Sequence, residues 1–371
     1  MNYPAIVVIA YNRKDSLKRL LSSLERADYP KGVSVPLIIS IDKGDNAGVI
    51  QLSDSFIWSH GVKTVIKQEE NLGLKKHVIK CGCLTNVYDS IIMLEDDLYV
   101  SKAFYYYACD AMFFVKDNDK IAGVSLYDHR LNVHVREPFQ AYDDGYDNYY
   151  FQFASSWGQA FDKDKWNGFM KWMETNDGKD LKASNMPENV SSWSDKSWLK
   201  YFIKYMIEED KYFIYPNGSY TTNFADEGTN ESVAVNDFQV SLCQAKKRKF
   251  CFSELKESMA VYDAYFENTK LSPLFDGADI DLYGYKPVSK KRYLLSSKCY
   301  PYKVIKTFGR RLRPIDSNIF DEIKGNEFYL YDTETQGNPP EDKGAERVLY
   351  NYRALNAKKM MKVLSYRVFG K

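Results

Sequence analysis

The chain reads as an α/β protein: a mixed, mostly parallel sheet flanked by helices, with a C-terminal extension. Three observations carry that expectation. Short apolar runs rich in β-branched residues alternate with stretches of helical periodicity over residues 1–126. Polar clusters follow the first runs, at 11–13, 42–45, 71–76 and 95–97. The last cluster, Glu95-Asp96-Asp97, sets three carboxylates directly after the apolar Ile91-Ile92-Met93-Leu94. Carboxylates at a strand end must meet water, a cation or a metal, because burying them unpaired is costly.

The elements follow in order. Residues 5–10 are a short apolar run, read as a buried strand, and Asn12-Arg13-Lys14-Asp15 is a turn. Leu17, Leu20, Leu21 and Leu24 recur at helical spacing and predict a helix over 16–27. A second strand spans 35–41 and ends in Asp42, a helix covers about 48–59, and a third strand covers 62–68. A helix over 75–88 leads into a strand at 90–94. Beyond the acids come a helix over 102–115, a strand over 121–126 and a polar, aromatic loop over 127–150. Ser155 to Phe161 precedes a helix near 162–174, and 175–192 is loop-like. An amphipathic helix over 193–209, a strand at 212–216 and a polar loop at 220–231 complete this part. Ligands of open α/β sheets bind outside the carboxyl ends of the strands, so the four polar clusters converge on one crevice.

Bulk properties narrow the classes. At 371 residues with 44% hydrophobic content, the chain can build one large domain with additions, or two. A net charge of +1 creates no global field for nucleic acid, and no nucleic-acid partner is expected. No stretch of about 20 apolar residues and no signal peptide is visible, so the expected location is cytoplasmic. Cys81, Cys83, Cys109, Cys243, Cys251 and Cys299 fit neither a zinc ribbon nor a disulfide framework, and read as reduced, mostly buried thiols. The four histidines, His60, His77, His129 and His134, lack zinc spacing, and His77 reads as a surface or internally satisfied side chain. The last third differs in character. Residues 286–313 hold ten Lys or Arg and no acid, interleaved with Tyr293, Tyr300, Tyr302 and Phe308, and residues 357–371 are again basic with interspersed apolar side chains. That composition suits a solvated basic face, or peripheral contact with anionic head groups at the inner face of a membrane.

Four motifs carry a resemblance: Ile6-Val7-Val8-Ile9-Ala10-Tyr11-Asn12-Arg13, Ile38-Ile39-Ser40-Ile41-Asp42, Glu70-Asn71-Leu72-Gly73-Leu74 and Leu94-Glu95-Asp96-Asp97-Leu98. Together they resemble the nucleotide-sugar-dependent glycosyltransferases of the GT-A fold, and within it the relatives of N-acetylglucosaminyltransferase I and bacterial surface-polysaccharide transferases. Ser155-Ser156-Trp157-Gly158 is similar to bacterial members as well. The resemblance covers about residues 4–235. It implies a glycosyltransferase domain over 1–235, with a nucleotide-sugar half at about 1–126 and an acceptor half at about 127–235; residues 236–371 form a separate basic region. It also implies a UDP-sugar donor, a saccharide or lipid-linked saccharide acceptor, and Mn²⁺ or Mg²⁺. Ala10, Tyr11, Asn12 and Arg13 match the nucleotide loop, Asp42 the acid that meets the base, and Asn71, Gly73 and Lys76 contacts to nucleotide and phosphate. Glu95 and Asp96 match positions near ribose and sugar, and Asp97 the metal ligand. The chemistry agrees: charge builds on the departing pyrophosphate, and a cation across both phosphates stabilises it.

An inverting transfer needs a base for the acceptor hydroxyl. The resemblance places it at a helix start after the acidic run, where Asp195 lies between Trp193 and Trp198. An N-cap role for Asp195 or Ser194 competes with this. Asp143, Asp144, Asp147, Asp226 and Glu227 are rivals. The stretch Asp226-Glu227-Gly228-Thr229-Asn230 resembles a late loop of bacterial members but lacks a His after the Thr. A nucleotidyltransferase and a non-catalytic nucleotide- or glycan-binding protein are the alternative readings. The first is disfavoured because Ala10-Tyr11-Asn12-Arg13 lacks the glycine-rich phosphate loop of that class.

Overall fold

A computed structural model describes residues 3–179, 181, 185–224, 226, 237–246, 249–346, 349 and 356–369. The chain forms two compact units, Met1–Arg130 with Ala141–Lys270, and Leu131–Gln140 with Leu271–Lys371.

The first unit begins β1 (Ala5–Ala10), α1 (Lys14–Glu25), β2 (Leu37–Ile41), α2 (Ala47–Ser55), β3 (Lys63–Lys67), α3 (Gly73–Gly82), α4 (Thr85–Tyr88), β4 (Ser90–Glu95), β5 (Leu98–Val100), α5 (Phe104–Phe114) and β6 (Ile121–Ser125). The short pair β7 (Leu131–Asn132) and β8 (Glu137–Pro138) belongs to the second unit. The first then resumes with β9 (Asn148–Phe151), β10 (Gln159–Asp162), α6 (Lys163–Asn176), α7 (Glu188–Ser191), α8 (Trp198–Glu208), β11 (Tyr212–Pro216), β12 (Thr221–Asn223) and β13 (Val261–Tyr262). The second unit adds β14 (Asp279–Asp281), β15 (Tyr293–Ser296), β16 (Tyr302–Phe308), α9 (Ser317–Phe320), β17 (Phe328–Gln336) and α10 (Ala357–Phe369), with β14, β15, β17 and β16 forming a four-stranded sheet.

A nine-stranded sheet in the order β13-β9-β11-β6-β10-β4-β1-β2-β3 organises the first unit. β3, β2, β1 and β4 run parallel, with Val7 opposite Ile38 on one side and Met93 on the other. Both faces of such a sheet are covered, so β1, β2 and most of β4 read as unbroken apolar runs rather than alternating ones. Leu17, Leu20, Leu21 and Leu24 of α1 are buried in the same core cluster as Ile6, Val8 and Ile39. Full burial of each such side chain contributes about 1.5–3 kcal/mol. The α/β class and the mixed, mostly parallel sheet are therefore as the sequence predicts.

Several local expectations need correction. The helix expected over 75–88 divides into α3 and α4 around Cys83 and Leu84. The helix expected from 193 begins at Trp198, because the Ser197 hydroxyl accepts from the Lys200 N–H at 3.4 Å and caps it. The sequence presents β10 only as a lead-in to a helix; it inserts antiparallel between β4 and β6. The expected loop over 127–150 contains β7 and β8 and the start of β9. Of the six cysteines only Cys81 and Cys109 are buried, and all six are free thiols. Among the described residues no helix is long and apolar enough to cross a membrane.

Candidate functional site

The parallel half of the sheet sets its carboxyl ends side by side, and each end carries a polar residue. At the end of β2, Asp42 is buried and its N–H donates to the Ala10 carbonyl at 3.0 Å, which ties the ends of β2 and β1 together. Its carboxylate accepts from three backbone N–H groups: Lys43 at 2.9 Å, Leu72 at 2.8 Å and Gly73 at 2.9 Å. Gly73 has φ +70°, a left-handed conformation that costs a residue with a Cβ about 1 kcal/mol or more. The Asn71 amide donates to the Lys43 carbonyl at 2.7 Å and lies 3.5 Å from the Tyr11 hydroxyl. The polar clusters at 11–13, 42–43 and 71–73 thus meet, as the topology rule requires.

The acidic run turns tightly from β4 into β5. Arg13, just before α1, bridges its last two members. One guanidinium nitrogen pairs with Asp96 and another donates to Asp97 Oδ2 at 3.0 Å. Residue 13 does not cap α1 with its side chain, which leaves the guanidinium free for this bridge. Burial pushes Asp96 up to about 6, against the pull of Arg13 and of the Tyr11 N–H. Glu95 is raised further, to about 8, by desolvation and then by Asp97 and Asp96. The Ser156 hydroxyl hydrogen-bonds it and opposes that rise. Four ionisable groups therefore share one patch with a single guanidinium between them.

The donor set fits a divalent cation in a limited way. Asp97 Oδ1 is buried without a hydrogen-bond partner, while Oδ2 is held by Arg13. One carboxylate oxygen can meet a hard cation whose remaining ligands are phosphate oxygens and water. Among the described residues no group of three or more His, Cys, Asp or Glu is arranged to hold a metal by itself.

The other candidates sit elsewhere. Asn12 and Lys76 are exposed, Lys76 on the first turns of α3. Asp195 is exposed and ion-paired with the buried Lys200 at 2.9 Å, whose ammonium also donates to the Trp193 carbonyl at 2.9 Å. Asp143 accepts from the Gly145 N–H at 3.0 Å, Asp144 from Ser258 Oγ at 2.8 Å and the Met259 N–H at 2.9 Å, and Asp147 from the Cys251 N–H at 2.9 Å. Asp143 secures a local turn, while Asp144 and Asp147 tie their loop to residues 251–259. Asp226 binds Ser16 Oγ at 2.7 Å and pairs with Arg19, both on α1; Glu227, Gly228, Thr229 and Asn230 lie outside the described residues. His77 is buried with Nε2 2.7 Å from Ser40 Oγ, and desolvation lowers its pKa, as expected of a satisfied core histidine.

Two contacts went unforeseen. Ser156 reaches Glu95, although the sequence offers only its place beside Trp157 in a resembling segment. The Phe224 N–H donates to the Asp97 carbonyl at 3.0 Å, extending the β5–β12 ladder over the acidic turn.

No protein-family model and no curated protein matches the sequence. Solved structures do. The chain is similar to S. aureus TarS 1-349, with 15% identity and TM-score 0.36 over 58% of this chain and 59% of that one. It is similar to the same protein in complex with UDP-GlcNAc, with 14% identity and TM-score 0.37 over 58% and 57%. It is also similar to the mannosyltransferase PcManGT from Pyrobaculum calidifontis in complex with GDP-Man and Mn²⁺, with 11% identity and TM-score 0.32 over 46% of each chain. The match to the first of these spans 59% of its length.

Proposed function

We propose that the chain is a nucleotide-sugar-dependent, inverting glycosyltransferase. It moves a hexose or N-acetylhexosamine from a UDP-sugar to a saccharide or lipid-linked saccharide in bacterial surface polysaccharide synthesis. One observation carries the reading: Arg13, Asp42, Asp96 and Asp97 lie at the ends of β1, β2 and β4, three adjacent parallel strands. A cationic and anionic cluster at that edge suits a ligand with both a pyrophosphate and hydroxyl or N–H groups.

The roles follow from chemistry. Arg13 offers its guanidinium to the diphosphate as charge builds on the leaving group, its hold on Asp96 and Asp97 fixing its direction. Asp42 keeps the 71–73 segment in place and presents the base end of the site. Asn12, exposed next to Arg13, and Lys76, exposed on the first turns of α3, reach the nucleotide and its phosphates. Glu95 and Asp96 accept from ribose and sugar hydroxyls. Asp97, through its unpartnered Oδ1, would hold Mn²⁺ or Mg²⁺, which would supply positive charge against the diphosphate. Asp195 takes the acceptor proton, its carboxylate positioned by the pairing with Lys200. The protein works in the cytoplasm, with residues 236–371 as a basic, aromatic region meeting acceptor or membrane surface.

Incubating the protein with UDP-sugars and Mn²⁺ tests this by UDP release and transfer to oligosaccharide acceptors. Asp97→Ala and Asp195→Asn should each lower turnover by roughly 100-fold or more, the second with donor binding intact. Turnover that survives both substitutions contradicts the assignment.

A further inference from the structure

The C-terminal helix α10 carries an exposed apolar stripe on one side and a basic one on the other. Asn356 starts the helix: its side-chain oxygen accepts from the Lys359 N–H at 3.0 Å and its carbonyl from the Met360 N–H at 3.0 Å. At about 100° per residue, Ala357, Met360, Met361, Leu364 and Val368 fall within an arc of about 100°. Met360 is 49% exposed, Met361 64%, Leu364 60% and Val368 68%. Lys358, Lys359 and Lys362 fall in a second arc of about 100°, all three exposed. From residue 347 to 371 the chain holds seven Lys or Arg and no Asp or Glu.

We propose that α10 lies in the plane of an anionic lipid surface, with its apolar stripe among the acyl chains and its lysines at the phosphates. This deepens the membrane contact of the reading above by naming the element, the mode of contact and the lipid charge. A helix of 13 residues is about 20 Å long. That is too short to span a hydrocarbon core of about 30 Å and long enough to lie in the interface. Charge complementarity selects the occupant. The apolar stripe by itself would serve a second copy equally well, but a second copy of this acid-free segment brings only further cations, whereas anionic head groups neutralise them. Four apolar side chains also fall well short of the roughly 800 Å² per partner of a stable protein interface.

Vesicle flotation of the full chain tests this. Wild type should float with phosphatidylglycerol-containing vesicles, lose binding as salt rises, and stay behind with phosphatidylcholine alone. Met361→Glu with Leu364→Glu should weaken partition at least roughly tenfold, and Lys358→Gln with Lys359→Gln and Lys362→Gln on the order of 100-fold. Leu364→Met should retain it. The substituted side chains are exposed, so each variant should keep the wild-type melting temperature and its shift with UDP-sugar. Wild type that ignores anionic vesicles, or variants that bind them equally well, would overturn the inference. So would a wild-type dimer that both variants convert to monomers without changing vesicle binding. Absence of any UDP-sugar shift would instead count against the donor site and leave the flotation result standing.

Discussion

Asp42 shows how one carboxylate can hold two distant loops together. It is legible in sequence as an acid after an apolar run, but its three N–H donors come from residues 43, 72 and 73. Removing it strands three partly buried donors. Asp42→Ala should therefore cost about 1–3 kcal/mol. The six tryptophans all lie in the first unit, so urea unfolding followed by their fluorescence reads that unit alone. An unchanged midpoint would mean that water replaces the carboxylate at no cost. Asp128 makes a prediction about pH. It accepts from the Gly218 N–H at 3.1 Å and pairs with Arg130, yet burial pushes it up to about 6. A carboxyl held above its unfolded value of about 4 carries no penalty at lower pH. Its ionised form destabilises the fold progressively as pH rises from about 4 to about 6, and fully above that. Asp128→Asn should remove that component, so the variant's stability should fall less steeply over this window, by up to about 1.4 kcal/mol per pH unit. Parallel wild-type and variant profiles would contradict the shift.

Among elements, legibility tracked how much each owes to its own residues. β1, β2 and β4 could be read because strands buried on both faces must be apolar throughout. β10 and β13 are four and two residues long and exist through their partners, which no local pattern encodes. The Arg13 bridge was equally hidden, since it joins residues 83 and 84 positions apart; the sequence supplied its members but not their pairing. The link from Asp226 to Ser16 spans 210 positions. The break between α3 and α4 has a packing counterpart at Gly82, where a Cβ would sit 1.9 Å from the fully buried Trp166 ring of α6. Gly82→Ala should destabilise the first unit by about 1–3 kcal/mol, or more if Trp166 cannot shift. Differential scanning calorimetry would show this as a lowered transition; an unaffected one would mean α3 and α6 can separate freely.

At the scale of the whole molecule, the sheet converts chain order into a single polar edge. Four polar clusters spread over residues 11–97 follow strands that run the same way, and this much was deducible before any coordinates. The base and the sugar were not, because both depend on loops whose placement the strands do not dictate. Asp195, with its ion pair to Lys200, belongs to that less legible part. The central claim is that a nucleotide-sugar binds at the edge formed by Arg13, Asp42, Asp96 and Asp97. Its most direct test is the melting temperature of the full chain titrated with UDP-, GDP-, CDP- and dTDP-sugars, with and without Mn²⁺. Ligand at 100 times its Kd stabilises by about 2.7 kcal/mol. We expect a UDP-sugar to raise the transition in wild type, more so with Mn²⁺, and Asp97→Ala to lose the metal-dependent part. No shift with any nucleotide-sugar, or a full metal-dependent shift in Asp97→Ala, would contradict the account.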